Sequence, residues 1–179
     1  MENQKELEDK LWKIFVNVND WLKIAEAKNA MLIGFNGACI FGLSRIMDIT
    51  EGFLWWYLLF TCICFGFSVL TSLTAFVPRL NALPPGVFYD SKIINIFYFE
   101  YLKTLSSGSL IHELDERTKN FEIPSRVKQL ADQVICNSNI ASRKYSYFSV
   151  SVWITICGIA SPLFGGLLFL YWYSHQLGS

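Results

Sequence analysis

The most constraining feature of this sequence is a set of three long apolar runs that carry almost no charge. They cover roughly Ala30–Met47, Phe53–Val77 and Tyr147–Tyr173. A helix of about 20 mostly apolar residues crosses the hydrocarbon core of a bilayer. Only helices and closed barrels satisfy their own backbone groups in lipid. The sequence therefore predicts an all-α integral membrane protein with three transmembrane helices.

The basic residues predict how these helices are oriented. Residues 1–29 hold five lysines and residues 78–146 hold nine lysines and arginines, whereas the loop 48–52 and the tail 174–179 hold none. By the positive-inside rule, the first two segments are cytosolic and the tail is external. The predicted order is a cytosolic N-terminal helix (1–29), a transmembrane hairpin (30–77, with spans about 30–47 and 53–77), a cytosolic region (78–146), a third transmembrane helix (147–173) and an external tail (174–179).

Two helices are predicted to run unbroken from water into lipid. The first carries a narrow apolar stripe at alternating spacings of four and three, which is typical of a helix in a bundle or coiled coil. Its members are Leu7, Leu11, Ile14, Val18, Trp21 and Ala25, and the stripe continues through Lys28, Leu32 and Phe35 with Asn29 and Asn36 on its shoulder. The second starts at Arg126 and meets no helix breaker before the third span. We therefore expect the first and third transmembrane helices to continue into a cytosolic helical bundle, with segments of residues 86–118 packed around it.

Several classes of function find no support in the composition and motifs. The formal net charge is zero, whereas a nucleic-acid-binding protein needs a basic face. The two histidines, His112 and His175, have no partnered nucleophile, and no phosphate-binding loop or metal-ligand spacing occurs. We expect neither an enzyme nor a metal site nor a cofactor.

Polar residues at the predicted water–lipid boundary are the candidate binding site. Gln133, Asn137 and Lys144 share one face of the second long helix, and Arg143 is adjacent. Lys28 and Asn29 lie at a similar depth on the first helix, and Tyr89 belongs to an aromatic set with Phe88, Tyr98 and Tyr101. One interpretation is structural: the cations mark the boundary and reach lipid phosphates, the amides bond one another, and the aromatic rings pack in the core. The other is a pocket in which a cation binds a phosphate, amides read a small polar ligand, and a ring stacks on a base.

Polar and small residues within the first span leave two further alternatives. Asn36 is expected to make an interhelical hydrogen bond that fixes packing. Gly34, Gly37 and Gly42 either permit self-association or reflect the frequency of glycine in membrane helices.

Four stretches taken together resemble the transmembrane effectors of bacterial Pycsar anti-phage systems. They are WLKIAEAKNAMLIGFNGA from Trp21, AFVPRL at the end of the second span, VFYDSKI from Val87, and LADQVICNSNIASRKYSYF before the third span. The resemblance runs in order from about Val18 to the third span, and its first and last stretches are the most specific.

The resemblance implies a homo-oligomeric inner-membrane effector whose sensor region is 78–146. Its ligand would be a cyclic pyrimidine mononucleotide, cyclic CMP or cyclic UMP, made by a partner cyclase on phage infection. Binding would then impair membrane integrity, so that the infected cell stops growing or dies. Two alternatives stay open: a ligand-independent channel or holin-like pore, and a membrane scaffold that docks a partner protein.

Overall fold

The computed structural model describes residues 2–77, 95–115 and 123–177, with side chains for 4–77, 95–115, 123–161 and 163–167. Within these ranges the chain forms five helices and no strand. They are α1 (Glu2–Met47), α2 (Phe53–Thr74), α3 (Phe99–Leu102), α4 (Ser107–Leu114) and α5 (Ser125–Leu177). The predicted all-α fold is confirmed. The three predicted spans are matched by α1, α2 and α5, each of which contains a stretch long and apolar enough to cross a membrane.

The chain divides into two compact units. The first comprises Met1–Ala27 and Pro78–Tyr145, and the second comprises Lys28–Val77 and Ser146–Ser179. The helices α1 and α5 are each continuous through the residue at which the units divide, as predicted for the first and third transmembrane helices. The predicted segment boundaries relative to the membrane stay predictions.

The first unit is a small helical bundle with an aliphatic core. The stripe of α1 and the apolar face of α5 pack against α3 and α4, and the buried set comprises Leu7, Leu11, Ile14, Val18, Leu102, Leu110, Ile111, Val127, Ala131 and Val134. Ser106 caps α4, since its side chain accepts a hydrogen bond from the backbone N–H of Ser109. Ser107 of α4 donates to the carboxylate of Asp132 on α5. These contacts attach the short helices to the two long ones.

The second unit consists of three helical segments. The first two are joined by a tight turn in which Gly52 has a φ of 72°, a conformation that glycine adopts without steric cost. The outer faces are apolar, with exposed side chains such as Phe41, Phe67 and Trp153. This pattern suits a unit surrounded by lipid.

The structure corrects one detail of the sequence prediction. On α1, Lys28 and Phe35 are exposed, while Asn29 and Asn36 are fully buried, because a helix of 3.6 residues per turn drifts away from a strict seven-residue stripe.

Candidate functional site

In the first unit, aromatic and polar contacts hold α3 against α1 and against residues 142–145 of α5. Phe99 is buried, and its ring stacks on Tyr145 of α5 at a centroid distance of 5.1 Å and an interplanar angle of 12°. Trp21 of α1 packs on the same two rings, at 5.7 Å from Phe99 and 6.2 Å from Tyr145. The Asn17 side chain donates a 2.7 Å hydrogen bond to the backbone carbonyl of Phe97. The three rings, which we call the aromatic wall, are those of Trp21, Phe99 and Tyr145. They lie at the last turn of the α5 segment that belongs to this unit.

Tyr145 lies in a partly buried environment. Burial, with a smaller contribution from the neighbouring Tyr98, raises the pKa of the Tyr145 phenol. Burial disfavours the charged form of any titratable group, so the phenol stays neutral over the physiological range. A neutral, polarisable surface of this kind suits stacking of a flat ring.

Lys144 of α5 and Lys103, which directly follows α3, each have a carboxylate partner. Lys144 pairs with Glu26 of α1 at 2.5 Å, and its side chain is only 14% exposed. Lys103 pairs with Glu100 at 2.5 Å and also donates a 2.9 Å hydrogen bond to the hydroxyl of Ser142. We call these five residues the lysine cluster; its two ion pairs meet α5 at Ser142 and Lys144, which lie two residues apart and therefore on different faces of that helix. Its cations are largely withdrawn from water, which makes an ionic contact stronger than at a fully exposed site.

The predicted site residues of the first unit lie along one stretch of α5. Asn137 is half-buried, and its side-chain amide donates a 2.8 Å hydrogen bond to the amide oxygen of Asn19 on α1. Gln133 is exposed and Arg143 is half-buried. The amide partner of Asn137 is thus Asn19, which lies on another helix and is not one of the predicted site residues. The ligand-binding role of these residues stays a prediction.

The remaining predicted residues lie elsewhere. Tyr89 is outside the described residues. Lys28 and Asn29 belong to the second unit, where Lys28 is exposed and its Nζ lies 5.7 Å from the centre of the Phe148 ring, within cation–π range. Asn29 is fully buried. Of the aromatic set, Tyr101 is a core residue that bonds Glu113, whereas Tyr98 is 41% exposed.

Sequence reasoning missed most of the lysine cluster. Lys103, Ser142, Glu100 and Glu26 were not among the predicted site residues. The Glu100–Lys103 pair has the i, i+3 spacing of a helical ion pair, so the sequence alone could have predicted this pair. The pairing of Glu26 with Lys144 was not, since 118 residues separate them.

A comparison with known protein families covers nearly the whole chain. The family model described as the Pycsar effector protein domain matches residues 10–172. The chain belongs to the Pycsar effector family. The match includes both units and every residue of the lysine cluster.

A curated relative agrees with this assignment. The chain is similar to the Pycsar effector protein PtPycTM of Propioniciclava tarda, with 26% identity over 151 residues that cover 83% of this chain and 73% of the relative. No solved structure matches the chain. This Pycsar effector is therefore a membrane protein of anti-phage defence, and its family implies a cyclic nucleotide signal from a partner cyclase.

Proposed function

We propose that this Pycsar effector binds cyclic CMP or cyclic UMP in its first unit and then impairs the integrity of the bacterial inner membrane. The loss of integrity arrests or kills the infected cell before phage is released. The N-terminus and the first unit are cytosolic in this proposal, the C-terminus is periplasmic, and the active form is a homo-oligomer. The nucleotide is the product of the partner cyclase.

The observation that carries the proposal is the lysine cluster beside the aromatic wall. A cyclic mononucleotide has one phosphodiester charge, so one or two lysines suffice to bind it, and charge-assisted hydrogen bonds to phosphate are the strong ones. The rings of Trp21 and Tyr145 offer a surface on which a pyrimidine stacks. The amide of Asn137 has both a donor and an acceptor with which to read a base edge.

Ligand binding in this site works by exchange of ion pairs. Lys144 is held by Glu26 of α1, so a phosphate that takes over the ammonium leaves the carboxylate of α1 without that partner. The bound state therefore differs from the ligand-free state in the contacts between α1 and α5. A ligand shifts a conformational equilibrium only by such differential contacts. Because α1 and α5 are also the first and third candidate spans, this exchange acts on the helices that enter the membrane.

Isothermal titration of the detergent-solubilised full chain with cyclic CMP and cyclic UMP tests the binding step. We expect binding of at least one of the two, with linear 5′-CMP and 5′-UMP as negative controls. Lys144→Ala and Arg143→Ala are expected to abolish binding without preventing membrane insertion. Lys23→Ala is the matched control, because Lys23 is a 75% exposed lysine of α1 that pairs with Asp20. Unchanged affinity in both the Lys144 and the Arg143 variants would overturn this placement of the site.

A liposome release assay separates the proposal from its rivals. We expect release that depends on the nucleotide bound in the titration. A ligand-independent pore would release the contents without nucleotide. A scaffold would bind neither nucleotide, release nothing and co-purify with a partner protein.

A further inference from the structure

The second unit has an interior unlike that of a packed membrane bundle. Most of its described buried side chains are polar, namely Asn29, Asn36, Thr61, Ser68, Ser72, Ser151 and Thr155, whereas the buried hydrophobic ones are Leu58, Phe65 and Ala75. A polar group in the hydrocarbon region is costly unless it faces protein or water. Interhelical hydrogen bonds in membranes contribute about 0.6 kcal/mol each on average. This small gain per bond does not by itself account for so many polar side chains in the interior of the unit.

A four-residue cluster joins all three segments of this unit. The amide nitrogen of Asn36 on α1 donates to Ser68 of α2 at 2.8 Å and to Thr155 of α5 at 3.0 Å. The Ser68 hydroxyl donates to the backbone carbonyl of Ser151 at 2.8 Å. The cluster thus sets three helices at a common level, with their polar side chains turned toward one axis.

Further polar side chains continue from this level toward the N-terminal end of α1. Asn29 precedes Asn36 by two turns, Ser72 follows Ser68 by one turn of the oppositely directed α2, and Ser151 precedes Thr155 by one turn. At 1.5 Å per residue these steps are about 6 to 10 Å, all in the same direction. The side-chain hydroxyls of Ser72 and Ser151 are buried and have no hydrogen-bond partner among the described residues. Such hydroxyls are suited to bind water.

On the other side of the cluster an aromatic ring packs between α2 and α5. Phe65, three residues before Ser68, is only 2% exposed. Its ring packs against Gly158, three residues after Thr155: a Cβ built on this glycine would lie 3.3 Å from Phe65 Cε1. Leu58 is buried two turns further along α2. A hydrophobic constriction of this type blocks ions by excluding water.

We propose that this axis is a closed permeation path for water and small monovalent cations, and that Phe65 is its gate. Asn36, Ser68 and Thr155 line the path and supply the amide and hydroxyl oxygens that replace part of an ion's hydration shell. Activation separates Phe65 from Gly158 and lets water join the two sides. The inference rests on the proposed membrane-impairing function and specifies what crosses the membrane and where.

The decisive experiment uses the full chain in liposomes loaded with both K⁺ and carboxyfluorescein. Wild type is expected to release K⁺ on addition of the activating nucleotide while it retains the dye. Phe65→Ala is expected to release K⁺ without nucleotide about tenfold faster than wild type, which corresponds to a barrier lowered by about 1.4 kcal/mol. Phe67→Ala is the matched control, because Phe67 is on the same helix but 60% exposed on its outer face.

A second variant covers the case in which Phe65→Ala fails to fold. Thr155→Val keeps the shape of the side chain and removes its hydroxyl from the axis, so we expect nucleotide-triggered K⁺ release about tenfold slower than wild type, again about 1.4 kcal/mol, with unchanged nucleotide affinity. Thr71→Val is its control, since the Thr71 hydroxyl donates to Phe67 O within its own helix.

Failure of the inference and failure of the proposed function give different results. Release of K⁺ and dye at equal rates by wild type would overturn the path in favour of general bilayer disruption. So would Thr155→Val with wild-type release, or a folded Phe65→Ala no leakier than Phe67→Ala. If wild type released nothing with either nucleotide, the proposed function would fail, while nucleotide-independent release by Phe65→Ala would still support the path.

Discussion

Lys144 of α5 and Glu26 of α1 form an ion pair in which the lysine side chain is 14% exposed and the carboxylate is 44% exposed. The pair lies one heptad beyond the Asn19–Asn137 hydrogen bond on both helices, and both contacts join residues 118 positions apart. The constant offset shows that α1 and α5 run parallel in this unit and keep the same register over these seven residues. A partly buried cation with a more exposed partner is well suited to exchange that partner for a ligand.

The first prediction follows from this exchange. If Glu26 competes with the phosphate for Lys144, Glu26→Gln removes the competing charge while the amide oxygen still accepts a hydrogen bond. We expect cyclic-nucleotide affinity to rise about fivefold, which corresponds to about 1 kcal/mol. Isothermal titration measures it.

The control for this prediction is Asp20→Asn on the same helix. Asp20 pairs with the exposed Lys23, and exposed pairs contribute little, so affinity should stay at the wild-type value. Weaker binding by Glu26→Gln would mean that the carboxylate supports the site rather than competes in it.

The second prediction concerns the stability of the second unit. Asn36→Ala removes the amide that bonds both Ser68 and Thr155. Interhelical hydrogen bonds in membranes contribute about 0.6 kcal/mol each on average and up to about 1.7, so we expect a loss of about 1 to 3 kcal/mol. Equilibrium unfolding in mixed detergent micelles measures it.

Ser44→Ala provides the comparison for Asn36→Ala. Ser44 is exposed, and within the described part of the chain its hydroxyl donates only to the backbone carbonyl of Phe41, in its own helix. Its substitution is expected to leave the stability unchanged. Equal effects of the two substitutions would contradict the structural role of the cluster.

The third prediction concerns the close approach of α2 and α5. A Cβ added at Gly158 would lie 2.9 Å from Cys64 Cβ, so Gly158→Ala forces the helices apart. Overpacking of this kind costs about 1 to 3 kcal/mol, and the thermal midpoint in detergent should fall. At Gly66→Ala, where the new Cβ meets nothing within 4 Å, it should not fall. A Gly158→Ala variant as stable as Gly66→Ala would show that the contact yields without cost.

The fourth prediction is a pH dependence in the first unit. The Tyr101 hydroxyl donates to Glu113, and this bond, together with burial and the carboxylate charge, raises the pKa of Tyr101 from 10.0 to about 12. The neutral phenol is therefore favoured in the folded state. Its contribution to stability is complete below pH 10 and is lost as the pH rises from 10 to about 12.

Thermal unfolding between pH 8 and 12 tests this dependence. Tyr101→Phe cannot titrate, so its thermal midpoint should fall less than that of wild type across that window. Glu113→Gln should behave similarly, because the bond to Glu113 is the largest cause of the raised pKa. Parallel curves for wild type and Tyr101→Phe would rule out the proposed role of this bond.

Much of the fold could be predicted from the sequence, because burial in lipid or exposure to water constrains which residues occur at each position of a helix. The charge-free runs predicted three spanning helices, and the stripe from Leu7 to Ala25 predicted the seam of the bundle. The seam was misread only beyond Ala25, where Asn29 and Asn36 rather than Lys28 and Phe35 turned out to be buried. A strict heptad pattern drifts on a straight helix, and polar residues are poor markers of an interior.

The candidate site was harder to predict from the sequence, because its contacts join residues that are far apart in the chain. Lys144 and Asn137 were singled out from their spacing on α5, but their partners Glu26 and Asn19 lie on another helix. Lys103 bonds Ser142, and Phe99 stacks on Tyr145, so both contacts depend on how α3 packs against α5. Periodicity describes one helix at a time and contains no information on the register between two helices.

By itself, the sequence determined the all-α class, the three spans and the family resemblance, since hydrophobicity and charge act through local composition. Only the tertiary structure decided that Glu26 neutralises Lys144, that Asn36 joins three helices, and that Phe65 closes on Gly158. Each of these contacts is about 3 Å long, so it forms only when the helices lie at the right angle and distance from each other. Side-chain packing across the whole unit sets those angles and distances.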